Sequence, residues 1–280
     1  MTKFKRIVPI IGLIIGLCIL AYFPVSELID SYKRAQVIKG LNIKTAKLDD
    51  SQKKELLLQA RSYNERLAGM QPETSNIWPY EHQLTFDGSS APFAYVNIPK
   101  ISLNMPIYHG TSNEVLSAGV GHVKGTSLPI GGKSTHAVLS AHSGMQRMRA
   151  FDDIRRLKKG DVFIVEVLNK KYAYKVYKKE VVLPDRIDKF AIQPGKDICT
   201  LMTCTPYGIN THRLLVTGKR CPVPKNIKNE HSLLGFITNL RIIPFIIAFV
   251  LTLGMLIRKL WQRKKFSQSK KKVREGKANT

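Results

Sequence analysis

Short alternating apolar runs between residues 93 and 222 constrain the fold more than any other feature of the sequence. Stretches such as YVNI, HAVLS and DVFIVEV are bounded by proline, glycine or polar residues. Alternation with a period of two is typical of β-strands that have one buried face. The run DVFIVEVLNKKYAYKVYKKEVVL predicts a hairpin that turns at residues 169–170, and FDDIRRLKKGD predicts a short helix or turn. Many short strands over about 130 residues predict a β-barrel or a β-sandwich.

The region before the strands predicts helices and then a loop. Residues 25–70 form a predicted helical stalk, in which Asp49 is one of three candidate N-capping residues and Gly40 is expected to separate two helices. Residues 71–92 have the composition of a loop. A loop of about 20 residues in a compact domain is usually functional or disordered, so this lid-like segment is a candidate regulatory element.

Two apolar runs frame the central region. Residues 7–24 hold no charge and include Cys18, and as a helix their 18 residues span roughly 27 Å, which predicts a transmembrane anchor. A cleavable signal peptide is the alternative, but no clear small-x-small cleavage site follows the run. Residues 233–257 predict a second, C-terminal transmembrane segment, whose most apolar part is residues 242–257.

The net charge of +25 is concentrated beside these runs. Residues 1–6 hold three Lys or Arg, and residues 258–280 hold ten against one Glu. Basic clusters next to apolar segments are typical of membrane proteins, and they mark the cytoplasmic side. Both termini are therefore predicted to be cytoplasmic. Residues 25–232, which end in a linker at 223–232, are predicted to lie on the extracellular side of the cell membrane, and nucleic acid is not an expected partner.

Three of the four cysteines lie in the predicted barrel. Cys199, Cys204 and Cys221 are an odd number, so at least one is free or paired between chains. If residues 198–204 and 213–221 form a hairpin in which Cys204 faces Arg213, Cys199 faces position 218. Cys221 is then three residues, or ~10 Å, out of register, which exceeds the limit of roughly 7 Å for a disulfide. A free thiol on the extracellular side suggests a catalytic role.

A cysteine is a nucleophile only as a thiolate, so a catalytic thiol needs a nearby base or positive charge. The barrel region offers five histidines: His109, His122, His136, His142 and His212. His142 is the best placed, because it ends the strand-like run AVLSAH just before a glycine turn. His109 and His122 adjoin glycines in turns and are interpreted as structural. Arg213 is either a salt-bridge residue at the rim or an always-charged oxyanion stabiliser.

The segment TLMTCTPYGINTHRLLVTGKR, residues 200–220, resembles the active-site signature of sortases, a run of the form TLxTCTPYGxNTHRLxVxG. The region that leads to the sortase histidine is similar to the stretch here from IPKISLNMPIYHG to SAHSG. The whole similarity covers residues 93–222. The two flanking apolar segments match the class C, pilus-assembling branch. The resemblance implies an eight-stranded β-barrel and a transpeptidase of Gram-positive bacteria, with no cofactor and no metal.

The resemblance also implies roles for individual residues. It places the family's nucleophile on Cys204, its histidine on His142 and its arginine on Arg213. Thr203 matches a position that lines the substrate groove.

Two departures from the class C pattern concern the surroundings of the site. Class C members often carry an Asp-Pro-aromatic lid before the barrel, whereas the corresponding loop here reads SNIWPYEHQ. Trp78 is the candidate substitute for the lid aromatic. Ser143 follows the histidine where many class C members have arginine.

The reaction that the resemblance implies is transpeptidation. The Cys204 thiolate attacks the Thr–Gly bond of an LPXTG-like sorting signal, Arg213 stabilises the oxyanion, and protonated His142 protonates the leaving amine. A lysine ε-amine of the next pilin subunit then resolves the thioester. Pilin subunits and the membrane are the expected partners of a monomeric catalytic domain.

Three alternatives remain open. A secreted cysteine protease would share the thiol chemistry, but water would resolve the acyl-enzyme. A zinc site would use Cys199, Cys204 and His212, although the spacing is loose and no fourth ligand is evident. A non-catalytic adhesin or pilus-assembly scaffold on the same fold would tolerate Cys204→Ala.

Overall fold

The computed structural model of the 280-residue chain describes residues 4–85, 91–144 and 150–225, together with isolated positions between 247 and 258. The basic tail after position 258, most of the second apolar segment and the end of the linker lie outside the described residues. Within the described part of the chain, no helix is both long enough and apolar enough to cross a membrane. The two transmembrane segments therefore stay predictions.

Two helices precede the barrel: α1, Phe4–Lys47, and α2, Asp50–Leu67. The break between them falls at residues 48–49, so the prediction of a break at Gly40 is wrong, because Gly40 lies inside α1. One glycine costs a helix only about 1 kcal/mol, whereas the sequence at Asp49 starts a new helix. The Asp49 side chain accepts a bond from the Gln52 N–H at 2.7 Å, and the Gln52 side chain accepts one from the Asp49 N–H at 3.0 Å, which together form a capping box.

Eight strands form a closed barrel in the order β1-β2-β3-β4-β7-β8-β6-β5, so the barrel rather than the sandwich is confirmed. The strands are β1 Ala94–Ile98, β2 Leu103–His109, β3 Val120–His122, β4 Thr135–Ser140, β5 Val162–Val167, β6 Lys170–Val182, β7 Asp197–Thr205 and β8 His212–Cys221. A short helix, α3, spans Asn113–Ala118, and four 3₁₀ helices span Tyr80–His82, Pro99–Ile101, Asp152–Arg156 and Ile187–Phe190. The β2–β3 and β4–β7 pairs are parallel, and the other six pairs are antiparallel.

The predicted hairpin forms between β5 and β6, but its turn lies one residue earlier than expected. Val167 pairs with Lys170, so the two loop residues are Leu168 and Asn169, with φ values of 48° and 62°. Two residues with positive φ are typical of a type I′ turn, whose twist matches that of the flanking strands. The sequence pattern suggested a turn at residues 169–170 because Leu168 is an unusual residue for positive φ.

The core fills the barrel and continues onto α2. Leu56, Leu57, Ala60 and Tyr63 of α2 are buried and pack in the same cluster as the strand residues. Buried Asn64 fixes the helix to the β3–β4 connection through two bonds with one residue. Its Nδ2 donates to the Leu128 carbonyl at 3.0 Å, and its Oδ1 accepts from the Leu128 N–H at 2.7 Å.

The described part of the lid-like loop is fastened to α2 and to the barrel. Buried Tyr80 is its anchor on the barrel: its hydroxyl donates to the His122 carbonyl at 2.9 Å and accepts from the Gly110 N–H at 3.0 Å. The same ring stacks on His122 and meets His109 edge-on. Residues 86–90 of this loop lie outside the described part of the chain.

Candidate active site

The β7–β8 hairpin has the register that the cysteine argument assumed. Cys204 pairs directly with Arg213, and Cys199 pairs with Gly218. Cys221 pairs with Ala173 of β6 instead. The three barrel cysteines are free, which confirms that no disulfide joins them within the chain.

The histidine reaches the cysteine through the parallel pair β4–β7. Ser140 pairs with Met202 at the end of this ladder, and the Ala141 N–H still donates to the Met202 carbonyl at 3.1 Å. Continuing this register by two residues places His142 beside Cys204. The structure thus places Cys204 and Arg213 on neighbouring strands and His142 just beyond the end of β4, the strand on the other side of β7. Neighbouring strands lie about 4.8 Å apart in a sheet.

All three side chains lie on the outer face of the barrel. Successive residues of a strand alternate between the two faces, and the residues that alternate with the three point into the core: Ala137, Leu139 and Ala141 on β4 and its extension, Cys199 and Leu201 on β7, and Leu214 and Val216 on β8. His142, Cys204 and Arg213 are each partly exposed. A thiol, an imidazole and a guanidinium therefore share one accessible surface.

The Arg213 guanidinium is held by the loop that precedes it. Its Nη1 donates to the Asn210 carbonyl at 3.1 Å and to the His212 carbonyl at 3.2 Å. Hydrogen bonds from its Nε and Nη2 are absent among the residues that the structure describes. An arginine fixed through one nitrogen presents its remaining N–H groups in a defined direction, as oxyanion stabilisation requires.

The two loops that carry the site meet at the rim. Gly144 has a φ of 82°, and a Cβ atom there would lie 3.3 Å from the Gly208 nitrogen. Only glycine combines this backbone conformation with so close an approach. Tyr207, half exposed, packs under the Arg155 guanidinium at 5.5 Å, so the β7–β8 loop also rests on the 3₁₀ helix Asp152–Arg156.

Thr203 is buried, and its hydroxyl has a structural partner. Its Oγ1 donates to the Ala141 carbonyl at 2.8 Å. This bond joins β7 to the residue before His142. A contact of Thr203 with substrate stays a prediction.

Trp78 is partly buried and packs against the core cluster. Its main-chain N–H donates to Gln59 Oε1 of α2 at 3.0 Å, and its main-chain carbonyl accepts from Gln83 Nε2 at 2.7 Å. These contacts give Trp78 a packing role, and its role as a lid stays a prediction. Sequence reasoning missed Tyr80, two residues later, as the aromatic anchor of this loop.

Of the other barrel histidines, His122 and His136 are buried, and His109 and His212 are partly exposed. Burial lowers the pKa of both His109 and His122 to about 4, so both are neutral near pH 7, and their structural interpretation is confirmed. Burial also lowers the pKa of His136, whose ring bonds Thr200 Oγ1 at 2.8 Å.

The proposed zinc site is contradicted by the geometry of β7. Cys199 is fully buried in the core, and burial raises the pKa of its thiol. Cys204 lies five positions along the strand and faces outward, so the two sulfur atoms point to opposite faces. Among the described residues, no group of three or more His, Cys, Asp or Glu side chains is arranged to hold a metal ion.

Comparison with known proteins identifies the family. A family model described as the Sortase domain matches residues 96–221, the range that holds all three site residues. The crystal structure of sortase C1 from Streptococcus agalactiae is 40% identical in sequence, with a TM-score of 0.63. The match covers 68% of this chain and 100% of the solved one. The chain belongs to the sortase family.

Sortases are cysteine transpeptidases, and the structural neighbours of this sortase are of class C. Sortase C from Clostridium perfringens, solved with the C-terminal cell wall sorting motif, is 42% identical with a TM-score of 0.59, and the match covers 68% of this chain and 100% of that one. Sortase A from Streptococcus agalactiae serotype III is 32% identical over 114 residues, which are 39% of this chain. This sortase spans 45% of the length of that curated relative.

Proposed function

We propose that this sortase is anchored in the cell membrane and joins pilin subunits by transpeptidation. The observation that carries the proposal is the direct pairing of Cys204 with Arg213, together with His142 two residues beyond the end of the parallel β4–β7 ladder, all three partly exposed. Together they supply a nucleophile, a proton donor and acceptor, and an oxyanion stabiliser, which are the groups that acyl transfer requires.

In the first step, the Cys204 thiolate attacks the carbonyl carbon of the threonine in an LPXTG-like sorting signal. Charge develops on the carbonyl oxygen, and the Arg213 guanidinium stabilises it. The Thr–Gly bond then breaks, and protonated His142 donates its proton to the departing glycine amine. The product is a thioester between Cys204 and the threonine of the first subunit.

In the second step, the ε-amine of a lysine on another pilin subunit attacks the thioester. Neutral His142 accepts a proton from this amine as the new amide bond forms, and Cys204 leaves as a thiolate. The cycle thereby restores the starting protonation of both groups. Water competes with the amine for the thioester. An enzyme that transfers the acyl group to the amine is a transpeptidase, and one that transfers it to water is a cysteine protease.

Two features support the choice of substrates. The solved Clostridium perfringens sortase C holds a cell wall sorting motif, and its identity with this chain supports a similar sorting signal here. The predicted membrane segments at residues 7–24 and 233–257 would place the barrel on the extracellular side, beside membrane-tethered pilin. Confinement to the same membrane raises the effective concentration of the two substrates.

The test compares amine and water as acceptors. The full chain in detergent is mixed with an LPXTG-like peptide, with and without hydroxylamine or a pilin fragment that carries an acceptor lysine. We expect the amine to increase peptide turnover and to appear in the product as a hydroxamate or an amide. Release of only the free threonine acid at every amine concentration would support a protease, and no turnover would support a scaffold.

A further inference from the structure

Two side-chain hydrogen bonds join the histidine segment to the cysteine segment. Ser143 Oγ donates to the Cys204 carbonyl at 2.6 Å, and Thr203 Oγ1 donates to the Ala141 carbonyl at 2.8 Å. Ser143 and Thr203 are both buried, with 7% and 4% of their surfaces exposed. Ser143 follows His142 and bonds the cysteine segment, and Thr203 precedes Cys204 and bonds the histidine segment. We call this pair of bonds the clamp.

The clamp lies where the regular ladder between β4 and β7 stops. The last paired residues are Ser140 and Met202, and the Ala141 N–H adds one main-chain bond to the Met202 carbonyl. Beyond that point, the described bonds between the two segments come from the side chains of Thr203 and Ser143. Of the described bonds between these two segments, the one from Ser143 ends on the main chain of the nucleophile itself.

The opposite edge of the histidine segment is fixed elsewhere. The Phe151 N–H donates to the His142 carbonyl at 3.0 Å, and the Gly144 N–H donates to Asp152 Oδ1 at 2.8 Å. These bonds hold the segment to the start of the 3₁₀ helix Asp152–Arg156. On the β7 side, Ala141 is bonded just before His142, and the Ser143 hydroxyl adds a described bond just after it, which ends on the Cys204 carbonyl.

We propose that Ser143 is a positioning residue that aligns His142 with the thiol of Cys204. The proposal rests on the proposed function only in assigning nucleophile and proton carrier to these two residues. A misplacement of about 1 Å in a reacting pair can reduce the rate by about 10²-fold. A bond between the two main chains therefore affects the rate through alignment, although the Ser143 side chain touches no reacting atom.

The proposal predicts a specific kinetic pattern. In the full chain, Ser143→Ala should lower kcat for acyl transfer at least 10-fold, at the lower end of the cost of misplacement, and should change KM less than about twofold. Ser143→Thr retains the hydroxyl and should recover most of the rate. Ser127→Ala is the matched control, because Ser127 is also a buried serine whose hydroxyl bonds a main-chain group, the His136 N–H at 3.0 Å.

A second arm needs no sorting peptide, so it separates this proposal from the proposed function. Iodoacetamide alkylation of Cys204 is followed by peptide mass spectrometry in wild type, Ser143→Ala, His142→Ala and the double variant. If Ser143 acts through His142, both single variants slow alkylation, and the double variant is no slower than His142→Ala. The melting temperatures of Ser143→Ala and Ser127→Ala show whether both proteins are folded.

Two results would overturn the proposal. One is alkylation of Cys204 in Ser143→Ala, or in His142→Ala, at the wild-type rate. The other is an additive loss of rate in the double variant, which would assign Ser143 a role independent of His142. If both single variants alkylate more slowly and the double variant is no slower than His142→Ala, but no sorting peptide reacts with wild type, the proposed function fails while the positioning role stands.

Discussion

Cys204 on β7 and Arg213 on β8 are direct cross-strand partners at the loop end of their hairpin. The guanidinium is also tied to two carbonyls of its own loop and strand. Its position beside the thiol is therefore set by the fold before any substrate arrives. Preorganised charge of this kind stabilises a transition state without reorganisation during the reaction.

Arg213→Lys should reduce kcat by about 10²–10³, the cost of removing one oxyanion-hole donor. Lysine keeps the charge but lacks the planar guanidinium, in which one nitrogen is held by carbonyls while the other N–H groups are directed at the oxyanion. Steady-state kinetics with a sorting peptide and hydroxylamine measure the effect. Arg186→Lys is the control, since Arg186 is an exposed arginine that bonds Asp188. A wild-type kcat in Arg213→Lys would show that a positive charge alone is sufficient.

Acid should lower the free energy of unfolding because two histidines are buried in the neutral form. His109 and His122 have a pKa of about 4 in the folded chain because burial disfavours the imidazolium ion, against about 6.5 when exposed. As the pH falls from 6.5 towards 4, the unfolded chain binds protons that the folded chain does not. The free energy of unfolding should therefore fall across this window, by on the order of 3 kcal/mol for His122.

Urea unfolding at pH 7.5, 6.0 and 5.0 tests this expectation. His122→Asn should be less stable at pH 7.5 but should lose less stability on acidification than wild type. His82→Gln replaces an exposed histidine and should keep the wild-type pH dependence. Equal slopes for wild type and His122→Asn would show that His122 does not carry the acid sensitivity.

The Trp78→Ala variant tests whether Trp78 only packs against the core or also covers the active site as a lid. Because the Trp78 side chain packs against the core and its main chain bonds α2, we expect the free energy of unfolding to fall by roughly 1–3 kcal/mol. Its contacts predict an acyl-transfer rate within about twofold of wild type. Tyr80→Phe is the matched control, because it removes a hydroxyl that bonds His122 and Gly110 and so weakens the attachment of the same loop. A faster reaction in Trp78→Ala but not in Tyr80→Phe would establish a lid.

Local patterns predicted the short strands and the β5–β6 hairpin, although its turn lies one residue earlier than expected. They left a barrel and a sandwich open, and the eight-stranded barrel was implied by the resemblance. The β7–β8 register that the cysteine argument assumed is observed, because one short loop joins the two strands and few registers are available. Asp49, one of the three predicted N-capping residues, does begin α2. The predicted break at Gly40 is wrong, since a single glycine is tolerated in a helix and a capping box is what starts a new one.

Contacts between segments that are far apart in the sequence could not be predicted from it. The Ser143 bond to Cys204 joins residues 61 positions apart and depends on the parallel register of β4 against β7, which no local pattern records. The docking of Tyr80 onto His122 depends likewise on where a loop meets the barrel. In both cases a small polar group acquires its partner only when the fold is complete.

The central claim is that Cys204 carries the acyl group. Its most direct test is the intact mass of the full chain after incubation with an LPXTG-like peptide, in wild type, Cys204→Ala and Cys221→Ala. Cys221 is the matched control, a partly exposed thiol on the neighbouring strand. We predict that wild type and Cys221→Ala gain the mass of the acyl fragment, that hydroxylamine removes it, and that Cys204→Ala gains nothing. An adduct or continued peptide cleavage in Cys204→Ala would contradict the account.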